Sequence, residues 1–112
     1  MARFMVLYRS SAAAGEQMAN ADPEQMQAGM ALWMKWAEKA GPAIVDFGQP
    51  LGNGRTLPGG GDASDGDPIG GYSILEADSL DAVTNLLDGH PHFHSPDASI
   101  EVLELLPVPG MG

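Results

Sequence analysis

Strand-like and helix-like segments alternate along this chain, and their order is the feature that most constrains its fold. Short stretches of alternating apolar side chains indicate strands, whereas apolar residues three or four apart indicate helices. The predicted elements are a strand at 3 to 9, a helix at 22 to 40, strands at 43 to 47 and 69 to 76, a helix at 79 to 88 and a strand at 99 to 106. Two successive βαβ units with right-handed crossovers predict an α+β, ferredoxin-like βαββαβ fold, in which a four-stranded antiparallel sheet carries two helices on one face.

The first helix has sequence signals at both ends. Asp22 is placed to be its N-cap, Pro23 occupies the first helical position, and Gln25 can complete a capping box. Gly41 and Pro42 predict its end. Its apolar stripe is predicted to contain Met26, Met30, Trp33 and Ala37, widened by Leu32, Met34 and Trp36. The wide stripe predicts burial of this helix against a second surface, such as a partner subunit.

The predicted strands carry apolar side chains on both faces. We assign one face to Phe4, Val6, Tyr72, Ile74, Ile100 and Val102, and the other face to Met5, Leu7, Leu75, Leu103 and Leu105. Because the helices can cover only one face of the sheet, apolar side chains remain on the other. We therefore expect a homodimer in which the exposed sheet faces meet.

Composition limits the classes of partner. The 112 residues predict one domain spanning 1 to 112, and 44% apolar residues suffice for a core. With 5 Lys+Arg against 15 Asp+Glu the formal charge is −10, which repels nucleic-acid backbones and anionic membranes. There are no cysteines, and the apolar run at 4 to 8 is too short for a signal-peptide core or a membrane span. We expect a cytoplasmic protein with no nucleic-acid or membrane partner.

All three histidines stand within residues 88 to 94, between the second helix and the last strand. Pro91 predicts an extended backbone here, in which His90, His92 and His94 point to one side. Three such imidazoles can bind a divalent metal, act as a general acid or base, or shape the loop. His90 and His92 are the candidate catalytic residues, and Pro91 makes His90 the best oriented of the three. We predict no metal and no cofactor.

Asp46 is an acidic residue in an otherwise apolar predicted strand. Burial would raise its pKa and make it a candidate general base. The alternative is a carboxylate at the strand end that accepts hydrogen bonds from nearby backbone amides.

The glycine-rich segment at 49 to 68 is predicted to be a long loop that closes over a cleft. Arg55 is its single cation and a candidate to orient an anionic substrate. Tyr72 and Trp33 are the other candidate substrate-binding residues, since small-molecule pockets are mostly apolar with a few polar groups. For Trp33 the alternatives are the core or a subunit interface.

Short motifs spread over most of the chain carry a family resemblance. They are the RFMVLY strand at 3 to 8, the Trp-containing first helix, VDFGQPL at 45 to 51, GGYSIL at 70 to 75, the HPH turn at 90 to 92 and IEVLEL at 100 to 105. With these motifs the chain resembles the YCII-related or DGPF-type proteins of the dimeric α/β barrel group. The resemblance implies a ferredoxin-like protomer, a homodimer, and a cleft in which a His–Asp pair, here Asp46 with His90 or His92, performs acid/base chemistry.

Two functions follow from these observations. The first is a small-molecule enzyme of the isomerase, lyase or oxygenase type that uses Asp46 and a histidine without an organic cofactor. The second is a non-catalytic module that binds a small ligand or assists another protein. If the enzyme hypothesis is right, His90 or His92 should lie within hydrogen-bond reach of Asp46 or share a cleft with it.

Overall fold

A central strand, Ala2–Arg9 (β1), pairs with a strand on each side in a computed structural model that describes residues 1–10, 22–52, 54–59, 61–62, 69–94 and 97–110. The other elements are α1 (Pro23–Ala40), β2 (Ile44–Asp46), β3 (Arg55–Thr56), β4 (Gly61–Asp62), β5 (Ile69–Ala77), α2 (Leu80–Leu86) and β6 (Ser99–Glu104). Within the described residues, one antiparallel sheet has the order β2-β5-β1-β6. This is the strand order of a ferredoxin-like fold, so the predicted fold class is confirmed.

The predicted boundaries hold where local signals are strong. Asp22 caps α1, with its side chain accepting the Gln25 amide at 2.7 Å and the Gln25 side chain accepting the Asp22 amide at 3.3 Å. Ser79 caps α2 by accepting the Ala82 amide at 3.1 Å. The helix is shorter than predicted, because Leu87 already forms its C-cap.

The segment predicted as a long loop contains paired backbone. β3 and β4 form a separate two-stranded antiparallel ladder, and Pro50 makes a single bridge to Gly71 at the start of β5. Local composition could not show this pairing, because glycine permits a hairpin as readily as an open loop. None of the helices within the described ranges is long and apolar enough to cross a membrane.

Register decides which side chains form the core. β1 places Phe4 opposite Leu75 and Val6 opposite Ser73, so Leu75 and Ser73 face the helices and are fully buried with Phe4 and Val6. The predicted grouping of Tyr72 and Ile74 with Phe4 is therefore wrong. Both faces of β5 carry apolar residues, so alternation alone could not distinguish them, and only pairing with β1 settles which face is inside.

The buried stripe of α1 is also rotated from its predicted position. Trp36 and Ala40 are the buried residues, whereas Met26 and Met30 are 45% and 58% exposed. The Trp36 indole N–H donates to the Leu86 carbonyl at 2.9 Å and so links α1 to the end of α2. The N-terminal half of α1 is uncovered because it lies beside a pocket rather than on packed core.

The sheet face away from the helices, which we call the open face, is apolar at its centre. Its strand positions include the half-buried Met5, Leu7 and Ile74 and the 49% exposed Leu103. Two ion pairs lie on the same face beyond this apolar centre, Arg3–Glu76 at 3.3 Å and Arg9–Glu101 at 2.9 Å. The sequence prediction of apolar side chains on both sheet faces is thus confirmed for the protomer.

The N-cap of α1 is expected to contribute measurably to stability. Asp22→Ala should lower the free energy of unfolding by about 1 kcal/mol, because the Gln25 amide loses its acceptor. Asp22→Asn is the matched control, since asparagine caps as well as aspartate. Urea denaturation should place the asparagine variant close to the parent protein; equal destabilisation by both substitutions would contradict a capping role.

Candidate functional site

A pocket of about 480 Å³ opens between one face of α1 and the end of the sheet. Five segments build its walls: the end of β1 with the adjoining Ser10, α1, the chain that follows β2, the start of β5, and the 3₁₀ turn Pro91–His94. The lining residues are Tyr8, Ser10, Met26, Gly29, Met30, Trp33, Phe47, Gly48, Gln49, Pro50, Gly70, Gly71, Tyr72 and His92. Such a volume suits a small organic molecule.

Helical spacing explains the wall that α1 contributes. Met26, Gly29, Met30 and Trp33 stand at positions i, i+3, i+4 and i+7 and therefore share one face. The Trp33 ring meets the Tyr8 ring edge-on, with centroids 4.9 Å apart, and packs against Phe47 at 6.2 Å. Three aromatic rings from α1, β1 and the chain after β2 thus form part of the apolar lining of the pocket.

A close backbone contact positions the wall after β2. Gly48 has φ +84°, and a Cβ atom there would overlap the Tyr72 carbonyl oxygen. Only glycine permits this conformation and this approach without rearrangement. The segment that carries Phe47 consequently lies directly against β5.

A buried hydrogen-bond chain ties the same wall to β1. Ser73 Oγ donates to the Phe47 carbonyl at 2.7 Å, so the Tyr8 hydroxyl donates to Ser73 Oγ at 2.8 Å. Burial raises the pKa of Tyr8 to about 12, and the hydrogen bond with Ser73 only partly opposes this. Tyr8 is therefore a neutral donor at physiological pH, and its part of the wall carries no charge.

His90 is fully buried behind the pocket and is not one of its lining residues. Its ring stacks on Tyr8 with centroids 5.1 Å apart and meets Trp33 and Trp36 edge-on at 4.5 and 4.4 Å. The His92 backbone amide donates to His90 Nδ1 at 3.0 Å. We call these four rings, His90, Tyr8, Trp33 and Trp36, the aromatic box.

The aromatic box keeps His90 neutral. Because Nδ1 accepts a hydrogen bond, the ring proton of the neutral form is on Nε2. Nε2 is buried with no hydrogen-bond partner among the described residues, and the rings of Tyr8, Trp33 and Trp36 pack around the imidazole. Burial, and secondarily the charge of His92, lowers the pKa of His90 to about 4.

The predicted extended arrangement of three imidazoles is wrong. Pro91–His94 form a 3₁₀ turn, in which the Phe93 amide donates to the His90 carbonyl at 3.1 Å. The φ angle of proline suits the first position of a helical turn as well as an extended strand, and the His90 side chain caps this turn. The His94 side chain lies outside the described part of the structure.

Of the two histidines whose side chains are described, His92 is the one that lines the pocket. Its Nε2 lies 2.8 Å from the Arg9 carbonyl and 3.1 Å from the Ser99 carbonyl. Both partners are acceptors, so Nε2 carries a proton, and in the neutral ring Nδ1 remains as an acceptor. His92 therefore combines a fixed ring orientation with a nitrogen able to bind a ligand hydroxyl or take up a proton.

Asp46 is exposed rather than buried, contrary to the prediction. Its carboxylate accepts the Gly48 amide at 2.9 Å and the Tyr72 hydroxyl at 3.2 Å, as in the alternative of a backbone-bonded carboxylate. A register shift between Ile44 and Asp46 pairs Asp46 with Ile74, which turns it to the open face. The negative charge of Asp46 raises the pKa of Tyr72.

The predicted His–Asp pair is not formed within the protomer. His90 is enclosed on the helix side of the sheet, Asp46 lies on the open face, and no hydrogen bond among the described residues joins Asp46 to His90 or His92.

Of the other predicted site residues, Trp33, Tyr72 and His92 all line the pocket. The Arg55 side chain lies outside the described part of the chain. Within that part, no group of three or more His, Asp or Glu side chains could hold a metal ion.

Sequence reasoning missed several pocket residues. Tyr8 and Phe47 were assigned only to strands, and Met26 only to the buried stripe. Gly29 could have been found from its spacing, because it falls on the face of α1 that contains Met26 and Trp33.

Comparisons with known proteins assign no family. Neither a protein-family model nor a curated protein sequence matches the chain. Among solved structures it is similar to 5-chloro-2-hydroxyhydroquinone dehydrochlorinase from Burkholderia phenoliruptrix in complex with 2,5-dihydroxybenzoquinone, with a TM-score of 0.49 and 22% identity, covering 89% of this chain and 90% of that one. A likeness of this size implies nothing about activity, and membership of the YCII-related family stays a prediction.

The buried histidine should make stability depend on pH. The pKa of His90 is about 4 in the folded chain against 6.5 for a free histidine, so the unfolded chain binds more protons between these values. Stability is therefore complete above pH 6.5 and is lost as the pH falls towards 4. The loss from this residue should reach about 2 kcal/mol at pH 5.

Chemical denaturation of the parent and His90→Gln at pH 7, 6 and 5 measures this effect. Carboxylates titrate in both proteins, so the difference between the two pH profiles isolates His90. The parent should lose more stability than the variant over this range. Parallel profiles would show that His90 titrates normally in the folded chain.

Proposed function

We propose that this protein binds a small, uncharged and mainly apolar molecule in the pocket beside Trp33. The observation that carries the proposal is the pocket itself, with the aromatic side chains Tyr8, Trp33 and Phe47 in its walls and the polar His92 at its edge. Apolar walls with one or two oriented polar groups are typical of small-molecule sites. The chain's net charge of −10 and the lack of a Lys or Arg among the described lining residues favour a neutral ligand over an anion.

Catalysis is a second candidate function, and His92 is the residue that supports it. Its Nε2 is engaged by two backbone carbonyls, which leaves Nδ1 as a proton acceptor in the neutral ring. Proton abstraction in an isomerase, lyase or cofactor-independent oxygenase reaction would use this nitrogen. Asp46 and His90 have no part in this scheme, because neither lines the pocket.

We also propose that two copies associate through their open faces. The apolar centre, which includes Met5, Leu7 and Ile74, is bordered by charged pairs, and an apolar centre with a polar border is the usual composition of a protein interface. Such an association would place Asp46 and Tyr72 at the interface between subunits.

Ligand binding can be tested with 2-naphthol and 2-naphthoate, which differ in charge but have the same ring system. Isothermal titration calorimetry should show binding of 2-naphthol and weaker binding of 2-naphthoate. Trp33→Ala should weaken 2-naphthol binding about 10-fold or more, because it removes one aromatic wall. Met34→Ala is the control and should bind like the parent, because Met34 is exposed on α1 and does not line the pocket.

Two results would contradict the proposed site. One is the absence of binding to the parent protein, and the other is equal binding by the parent and a folded Trp33→Ala variant. Stronger binding of 2-naphthoate that is lost in Arg55→Ala would instead support the predicted anionic substrate.

The association can be tested by sedimentation equilibrium. The parent should have twice the 11.7 kDa mass of the chain. Leu7→Glu should shift it to the monomer, because a charge would be buried at the centre of the interface. Met34→Glu, on the exposed surface of α1, should remain a dimer. A monomeric parent, or dissociation caused by Met34→Glu alone, would rule out association through the open face.

A further inference from the structure

The glycines that line the pocket differ in whether the backbone or a close neighbour requires glycine at that position. Gly48 has a positive φ and no room for a side chain. A Cβ atom on Gly71 would stand 3.4 Å from the Gln49 carbonyl oxygen and 3.5 Å from the Tyr8 ring. Gly29 differs from both, because it has ordinary helical geometry and a Cβ atom there would meet nothing within 4 Å.

Glycine at position 29 is unfavourable for the helix that contains it. Gly29 lies within α1, away from both ends, where glycine costs about 1 kcal/mol relative to alanine. Neither the backbone conformation nor a close neighbour requires this residue. The local structure of α1 therefore gives no reason for the loss of stability.

The position of Gly29 in the pocket supplies a reason. It lies on the same helical face as Met26, Met30 and Trp33, and all four residues line the pocket. The absent side chain leaves open the space between the two methionines and the indole ring. From the sheet, Gly70 and Gly71 also line the pocket without side chains. Main chain therefore borders part of the space on both sides, which suits a flat ring better than a branched aliphatic group.

We propose that Gly29 is a specificity-determining residue, which admits planar aromatic ligands larger than a single ring to the pocket beside Trp33. This inference rests on the proposed ligand-binding function. It adds a ligand class, fused-ring aromatic compounds, and names the residue that sets the upper limit of ligand size. A side chain at position 29 would occupy the volume that a second ring fills.

Two probes and four variants test this role. The probes are 2-naphthol and phenol, and the variants are Gly29→Ala, Gly29→Val, Ala28→Val and Ala28→Gly. Ala28 is an exposed neighbour on α1 that does not line the pocket, so its variants control for changes in helix propensity. Binding is measured by calorimetry and stability by thermal denaturation.

Gly29→Ala should raise the thermal midpoint by about 4 °C, since alanine favours the helix. It should also weaken 2-naphthol binding about 10-fold, the effect of an extra methyl group in a closely fitting apolar pocket, and change phenol binding by less than about 3-fold. Gly29→Val should abolish 2-naphthol binding. Ala28→Val should bind both probes like the parent, and Ala28→Gly should lower the thermal midpoint without changing either affinity.

The outcomes separate this inference from the function on which it rests. If the parent binds 2-naphthol and both Gly29 variants bind it equally well, the inference is wrong and the ligand-binding site stands. If Gly29→Ala lowers the thermal midpoint, glycine has a structural role and the inference is wrong. If the parent binds neither probe, the proposed function fails and the inference fails with it.

Discussion

Packing of aromatic rings around the neutral, buried His90 joins the elements on which the pocket depends. The ring of Tyr8 belongs to β1, and the rings of Trp33 and Trp36 belong to α1. The Trp36 indole N–H also donates to the carbonyl of Leu86, the last residue of α2. Two of the four rings, Tyr8 and Trp33, also line the pocket. The box therefore fixes the back of the pocket while it closes the core.

Charge would disrupt this arrangement. A protonated His90 would place a full charge in a fully buried site, and the added proton on Nδ1 would face the His92 amide N–H, which now donates to that nitrogen. The pKa of about 4 expresses the unfavourable free energy of that state. Preference for the neutral ring explains why the histidine nearest the core is not the one suited to proton transfer. His92, two residues later, lies at the pocket and is oriented by backbone carbonyls.

Local signals in the sequence predicted the elements, whereas the site depends on long-range pairing. Asp22 and Gly41 mark the ends of α1 through contacts within one turn, so residue type alone indicates them. The direction of Asp46 depends on a bulge that forms only when β2 pairs with β5. The conformation of Pro91–His94 could not be predicted from residue type either, since Pro91 is compatible with both an extended strand and a 3₁₀ turn. Packing of His90 against Tyr8, Trp33 and Trp36 favours the 3₁₀ turn over the extended strand.

The two tryptophans allow the most direct test of ligand binding in the pocket. Trp33 lines the pocket, and Trp36 lies behind it with its indole N–H donated to the Leu86 carbonyl at 2.9 Å. Each indole N–H gives its own signal in a ¹H–¹⁵N correlation spectrum, so the two sites can be followed separately as 2-naphthol is added. Binding in the pocket should shift the Trp33 signal progressively to saturation and leave the Trp36 signal nearly in place. A saturable shift of Trp36 alone, or no shift of Trp33 under conditions where calorimetry shows binding, would contradict the site.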